Sequence, residues 1–244
     1  MGSESSARLE PTKTHTLATP WHTGALVGLI LAVAITGTLL RATGAVGVRN
    51  GGAQVVPGAR IWSQYLPLLS VNWLLLAYVS RLFRTHNALP ELLGRRWRGA
   101  RQVVIDLALA SAVFVFVELF EALASHVLAA GRNAAHSALL PSTEAERLTW
   151  LLVAVSVGFC EEVVYRGYLQ RQLSAFTGRA SFGIALSAIL FGIAHAEQGF
   201  ASAARIACYG LALGVLARVR RSLIPGIVCH VAIDLASAFL PFYG

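Results

Sequence analysis

Residues 148–173 read LTWLLVAVSVGFCEEVVYRGYLQRQL, and the reading of this stretch decides the fold. From Leu148 to Cys160 no side chain is charged; then Glu161 and Glu162 stand side by side, and Arg166 follows four residues after the second. At about 1.5 Å per residue such a stretch, wound as a helix, is long enough to cross a hydrocarbon core of roughly 30 Å. An ionisable group inside that core costs a few kcal/mol or more, so such groups face the interior of a helix bundle and mark functional sites. The spacing of Glu162 and Arg166 puts them on one helix face in the order that favours an ion pair. Glu161, turned about 100° from its neighbour, is free to point elsewhere.

The alternation of long apolar runs with short polar connections continues on both sides. Upstream lie Gly24–Leu40, Ile61–Ser80 and Val103–Ala130, and downstream lie Ser181–Ala196, Ala201–Ala217 and Leu223–Phe242. With Leu148–Leu173 they make seven predicted spans, the fifth and sixth short and joined by a tight turn, Ala196-Glu-Gln-Gly199. Composition agrees. Of 244 residues 56% are hydrophobic and 13% charged, and mean hydropathy is +0.62, whereas an ordinary soluble domain carries about 25% charged residues. So few charges cannot cover so much apolar surface in water, and disorder is excluded because it needs low hydrophobicity. The expected fold is all-α, a polytopic membrane bundle of about seven transmembrane helices in lipid. No repeat and no separate soluble domain is visible. The chain divides into a polar tail at 1–22, a three-span region at 23–147 with a basic loop at 81–101, and a four-span region at 148–244.

The net charge of +8 does not indicate nucleic acid, because the basic residues alternate with apolar runs instead of forming one water-exposed patch. The connections fall into two alternating sets. One set holds 14 of the 20 Lys and Arg, including Arg8, Lys13, Arg95, Arg96, Arg98 and Arg179, and the other holds six. Positive connections stay inside, which places the amino terminus in the cytoplasm and the carboxyl terminus outside. With 19 Arg to one Lys, the composition suggests a GC-rich genome, and the expected location is a bacterial inner membrane. The stretch Arg81–Arg101 reads most simply as a positive-inside loop; its Leu82, Phe83, Leu92, Leu93 and Trp97 would also suit an interfacial helix. The first 22 residues form no compact charged leader, so the first segment reads as an uncleaved span. Met1-Gly2 with Ser6 fits a myristoylation pattern only weakly. Cys160, Cys208 and Cys229 are odd in number and lie in apolar stretches, so no disulfide framework is expected. Cys160 and Cys229 directly precede motif residues but point about 100° away from them, and they read as small buried filler.

Half of the twelve acidic residues fall inside the spans: Asp106, Glu118, Glu121, Glu161, Glu162 and Asp234. Three histidines join them, His126, His195 and His230. His195 follows Phe191 by four residues and Asp234 follows His230 by four, so each is a same-face pair. Counting about 1.5 Å per residue from the cytoplasmic ends brings Glu161, His195 and His230 to similar depth. Glu118 and Glu121 share a face of the third span, where they line a second polar cavity or satisfy neighbours.

Glu-Glu-x-x-x-Arg (Glu161, Glu162, Arg166), Phe-x-x-x-His (Phe191, His195) and His-x-x-x-Asp (His230, Asp234) resemble the three ordered motifs of the CAAX-protease and bacteriocin-processing family of intramembrane endopeptidases. The resemblance covers residues 148–242; the first three spans resemble nothing specific. It implies an enzyme that cleaves a peptide bond near the carboxyl end of a membrane-associated protein or peptide. Glu161 with His195 would deprotonate a water for attack on the carbonyl, and His230 with residue 234 would stabilise the oxyanion. Glu162 and Arg166 would be the structural pair that fixes the helix. A second family reading has Glu161, His195, His230 and Asp234 hold a divalent metal such as zinc, which generates hydroxide. The family commonly has Asn, and sometimes Asp, at position 234. An ionised Asp only accepts hydrogen bonds, so Asp234 would orient His230 through a ring N–H or ligate the metal. Two rival functions stand beside the protease: a proton- or cation-coupled transporter using the membrane acids, and a catalytically silent immunity or assembly partner. Substrate identity and oligomeric state are not legible in one chain.

Overall fold

A computed structural model of the chain describes residues 16–43, 57–83, 92–127 and 139–239. The start of the polar tail with its Gly2/Ser6 pattern, residues 84–91 of the basic loop and the side chain of His126 lie outside the described residues. Seven membrane-length or shorter apolar helices follow one another: α1 (Pro20–Ala42), α2 (61–83), α3 (Ala100–Val127), α4 (Glu144–Thr177), α5 (Ala180–Ile193), α6 (Phe200–Arg220) and α7 (Ile224–Phe239). No strand occurs among the described residues, only a single bridge between Gly94 and Ser222. The protein is a membrane helix bundle in which α1, α3, α4 and α6 are long and apolar enough to cross a bilayer and α5 and α7 are shorter.

Two elements differ from a run of regular α-helices. The fifth span stops at Ile193, short of His195, which stands between α5 and a 3₁₀ turn at Ala196–Gln198. At about 1.5 Å per residue, α5 rises only about 21 Å, so the α5–α6 connection stays below the far surface of the bilayer. Irregular backbone at that depth is tolerated where it lines a cavity. Within α4, residues Glu162–Leu169 form a π-helix between two α-helical segments. The described part of the basic loop is no interfacial helix: Arg95 N–H donates to the Arg221 carbonyl and Leu223 N–H to Leu93, so this strip is tied to the α6–α7 connection.

Packing is inverted relative to a soluble protein. Leu74, Leu119, Leu152 and Val219, all about two-thirds exposed, point outward as lipid would require. The interior is centred on α4: 61% of its apolar window is buried, against 17–28% for α1, α3 and α6. Val163, Val164, Tyr165 and Tyr168 of α4 form one core with Leu26 and Ile30 of α1, Leu75 and Val79 of α2, and Phe191 of α5. Glycines allow the closest helix contacts; a Cβ at Gly158 would lie 2.8 Å from Val231 of α7, and one at Gly192 would lie 2.5 Å from the Ala203 carbonyl of α6.

Polar ties fix the two ends. At one end Gln172 accepts from Leu17 N–H at 2.6 Å, Thr23 meets Tyr168 at 3.0 Å, and Asp106 accepts from Trp97 at 2.9 Å and Arg220 at 2.5 Å. At the other end Thr143 and Glu146 cap α4 reciprocally, the pattern in which each side chain satisfies the other's free backbone N–H. The fully buried Glu146 also accepts from Arg60 at 3.1 Å, which ties the start of α4 to the start of α2.

Candidate active site

The π-helix sets the geometry of the site. It begins at Glu162, immediately after Glu161, and an i→i+5 ladder turns less per residue than an α-helix. The two neighbouring carboxylates therefore diverge little enough to reach the same imidazole. Ser187 of α5 donates to the Tyr165 carbonyl inside this segment at 2.8 Å.

His230 of α7 is that imidazole. Its Nδ1 lies 3.1 Å from Glu162 Oε1, and its Nε2 lies 3.6 Å from Glu161 Oε2 and 4.0 Å from Asp234 Oδ2. A carboxylate only accepts, so Nδ1 carries the proton it gives to Glu162, and Nε2 is the nitrogen turned toward Glu161 and Asp234. The orienting partner of His230 is thus Glu162 rather than Asp234. Glu162 has a double duty: the same Oε1 accepts from Arg166 at 2.7 Å, both side chains being almost fully buried. Gly226 of α7 makes room for this carboxylate, because a Cβ there would lie 2.9 Å from Glu162 Oε2.

Phe191 connects the motifs. The Arg166 guanidinium sits 4.3 Å over its ring and donates to the Gly210 carbonyl at 3.3 Å, so the cation is held by a carboxylate, a π face and a backbone oxygen. The Phe191 ring meets Tyr165, His195 and His230 edge-on, at 5.0, 4.9 and 5.8 Å between centroids. His195 donates Nδ1–H to the Phe191 carbonyl at 2.8 Å, which leaves its Nε2 as the acceptor.

Glu161, His195, His230 and Asp234 line one cavity of about 430 Å³. Glu161 Oε2 is buried and accepts no hydrogen bond from the described residues. Glu118 and Glu121 of α3 line the same cavity, which corrects the expectation of a second one, and Glu121 is also paired: Arg205 lies 3.2 Å away, and Tyr209 donates to it. Arg205 and Tyr209 escaped the reading of the sequence. The signal is an arginine inside the sixth span with a tyrosine four residues on. Cys160 and Cys229 are buried free thiols. Among the described residues no three His, Cys, Asp or Glu side chains come together as a metal-binding group.

Compared with known proteins, residues 143–236 match the family described as type II CAAX prenyl endopeptidase Rce1-like. The matched segment is the one that carries the three motifs. No curated protein and no solved structure matches the chain.

Proposed function

We propose that this protein, an integral membrane protein with a CAAX-type endopeptidase domain at 143–236, cleaves a peptide bond near the carboxyl end of a membrane-associated protein or peptide, with Glu161 as general base. One observation carries the assignment: in a cavity large enough for a peptide, Glu161 Oε2 is a buried carboxylate oxygen without a hydrogen-bond partner among the described residues, 3.6 Å from His230 Nε2. Glu146 and Glu162 also have one oxygen without a hydrogen-bond partner among the described residues, but each is tied to an arginine through the other oxygen, whereas Glu161 faces the cavity and His230.

In this reading His195 Nε2 and Glu161 hold a water, and Glu161 takes one of its protons as the oxygen attacks the scissile carbonyl carbon. The carbonyl π bond opens and its electron pair becomes the oxyanion. His230, as an imidazolium with Nδ1–H held by Glu162, donates Nε2–H to that oxyanion. When the C–N bond breaks, the proton on Glu161 passes to the leaving amine and the oxyanion closes to the carboxyl product. Asp234, 26% exposed at its side chain and 4.0 Å from Nε2, balances the imidazolium charge from the cavity side. Arg166 positions these groups from outside the cavity, and Phe191 does so from its wall.

A transporter would need the cavity to continue to the other end of the bundle. Below Glu161 the path is filled by the Glu162–Arg166 pair and by Tyr168 and Leu169, all buried, and this favours the protease. The test compares the membrane proteome of cells expressing the wild-type chain with that of cells expressing Glu161→Gln. A membrane protein that loses a carboxyl-terminal piece only with the wild type is the expected result. Equal processing by the variant overturns the assignment.

A further inference from the structure

The cavity occupies one half of the bundle, and the charges at the two ends say which half. The helices alternate in direction, so each end is marked by the same set of termini. The end where α1, α3, α5 and α7 begin is joined by the Gln172, Asp106 and Gly94–Ser222 ties. The opposite end, where α2, α4 and α6 begin, holds the Glu146 cap and the α5–α6 connection.

Every helix contributes to the cavity from that opposite half: Gly37 near the end of α1, Pro67 near the start of α2, Glu121 late in α3, Trp150 early in α4, Ser202 early in α6 and Ser237 late in α7. The floor lies near the middle of the bundle, at Glu161 and Tyr165 of α4, Leu213 of α6 and His230 of α7. No described residue from the first end lines the cavity.

The arginines divide the other way. Among the described residues, ten lie at the closed end, including Arg95, Arg96, Arg98, Arg179, Arg218 and Arg221, and four at the cavity end. At the cavity end Arg60 pairs with Glu146, Arg147 with Glu144 and Arg205 with Glu121. Lys and Arg near span ends set orientation and stay on the cytoplasmic side, while Asp and Glu contribute little.

We infer that the catalytic cavity opens on the extracytoplasmic side of the membrane, and that its substrates are membrane proteins or lipid-held peptides whose scissile segment lies outside the cytoplasm. The substrate part rests on the protease reading above; the sidedness does not. A cytoplasmic carboxyl-terminal tail would meet the basic end, where the core is filled, and would have to cross half the bilayer to reach Glu161. A segment exposed outside enters directly, with the α5–α6 connection, which stops short of that surface, and its His195 at the wall. The membrane anchor of such a substrate lies alongside the bundle while its tail bends inward.

Sidedness is tested with single substitutions in the full chain expressed in cells: Glu144→Cys at the cavity end, Gln198→Cys on the α5–α6 connection and Arg96→Cys at the basic end. The wild-type chain, with its own three cysteines, sets the background. A membrane-impermeant maleimide is applied to intact cells and again after permeabilisation. The inference expects Glu144→Cys and Gln198→Cys to label in intact cells at least tenfold more than Arg96→Cys, which labels fully only after permeabilisation. The reverse pattern, or equal labelling of the two ends in intact cells, overturns it. A second arm separates this from the protease reading. In detergent, where sides vanish, the substrate recovered from the proteome comparison is offered to purified wild type and Glu161→Gln. Equal cleavage there removes the protease and leaves the orientation standing; reversed labelling removes the orientation and leaves the protease standing.

Discussion

Glu162 and His230 are joined by a hydrogen bond of 3.1 Å from the imidazole Nδ1 to the carboxylate Oε1, and this bond decides which ring nitrogen faces the cavity. The same oxygen accepts from Arg166 at 2.7 Å. A carboxylate held by a buried guanidinium cannot swing, so it fixes the tautomer and the tilt of the ring together. Glu162→Gln removes the charge that both partners use. Its amide oxygen still accepts, so the ring is expected to stay near the site but without its electrostatic partner. The expected outcome is a fall in kcat of roughly 10–100-fold with KM little changed, the range for outer partners that orient an active imidazole. Steady-state cleavage in detergent measures the split; a change confined to KM would place Glu162 in substrate binding instead.

Chelation discriminates between the two chemistries open to the motifs. His195 and His230 each spend Nδ1 on a partner, and no three ligating side chains are grouped among the described residues. Cleavage by the purified enzyme is therefore expected to survive prolonged treatment with EDTA or phenanthroline unchanged. Loss of activity that returns with added zinc would show that the side chains regroup around an ion.

The seven apolar helices were legible because length and hydropathy are local properties of the sequence, although among the described residues only α1, α3, α4 and α6 are long and apolar enough to cross a bilayer. Gly24–Leu40 becomes Pro20–Ala42, and Ala201–Ala217 becomes Phe200–Arg220. The start of α4 was placed late, at Leu148, because its first turn is polar; the Thr143–Glu146 box, readable as T-x-x-E, sets it at Glu144. The π-helix was invisible, since nothing in EVVYRGYL distinguishes an i→i+5 from an i→i+4 ladder before α5 and α7 are packed against it. Asp234, which as an acceptor would orient His230 or ligate a metal, is joined at this imidazole by Glu162, which takes the Nδ1–H. The shared cavity of Glu118, Glu121 and Arg205 was also beyond reach, because it depends on how α3 faces α6.

Gly226 tests how tightly this corner is built. A Cβ there would lie 2.9 Å from Glu162 Oε2, too close for an ordinary contact, and the carboxylate that would have to yield is pinned by Arg166 and His230. Gly226→Ala is expected to cost about 1–3 kcal/mol of stability, the range for overpacking a filled interior, and to lower kcat with it. Gly24→Ala on α1, where a Cβ meets nothing within 4 Å, is the control and should leave both unchanged. Thermal unfolding in detergent, paired with cleavage rates, reads the two effects.

Three buried carboxylates along α4 differ in how many partners they have, and that difference predicts which serve structure and which serve chemistry. Glu146 Oε2 accepts from Arg60, from Ser142 N–H and Oγ, and from Thr143 N–H; Glu162 Oε1 accepts from Arg166 and His230; Glu161 Oε2 accepts from none of the described residues. A buried carboxylate that leaves its donors unpaired when removed costs about 3–5 kcal/mol, whereas one without partners costs little. Replacing each glutamate by Gln should therefore lower the unfolding temperature most at 146, less at 162 and least at 161. Activity per folded molecule should follow the opposite order, near wild type for Glu146→Gln and down at least 10²-fold for Glu161→Gln, as expected when a general base is lost. Equal stability losses at 146 and 161 would mean that Glu161 is a structural carboxylate like the other two, and the base would then have to be sought in Asp234.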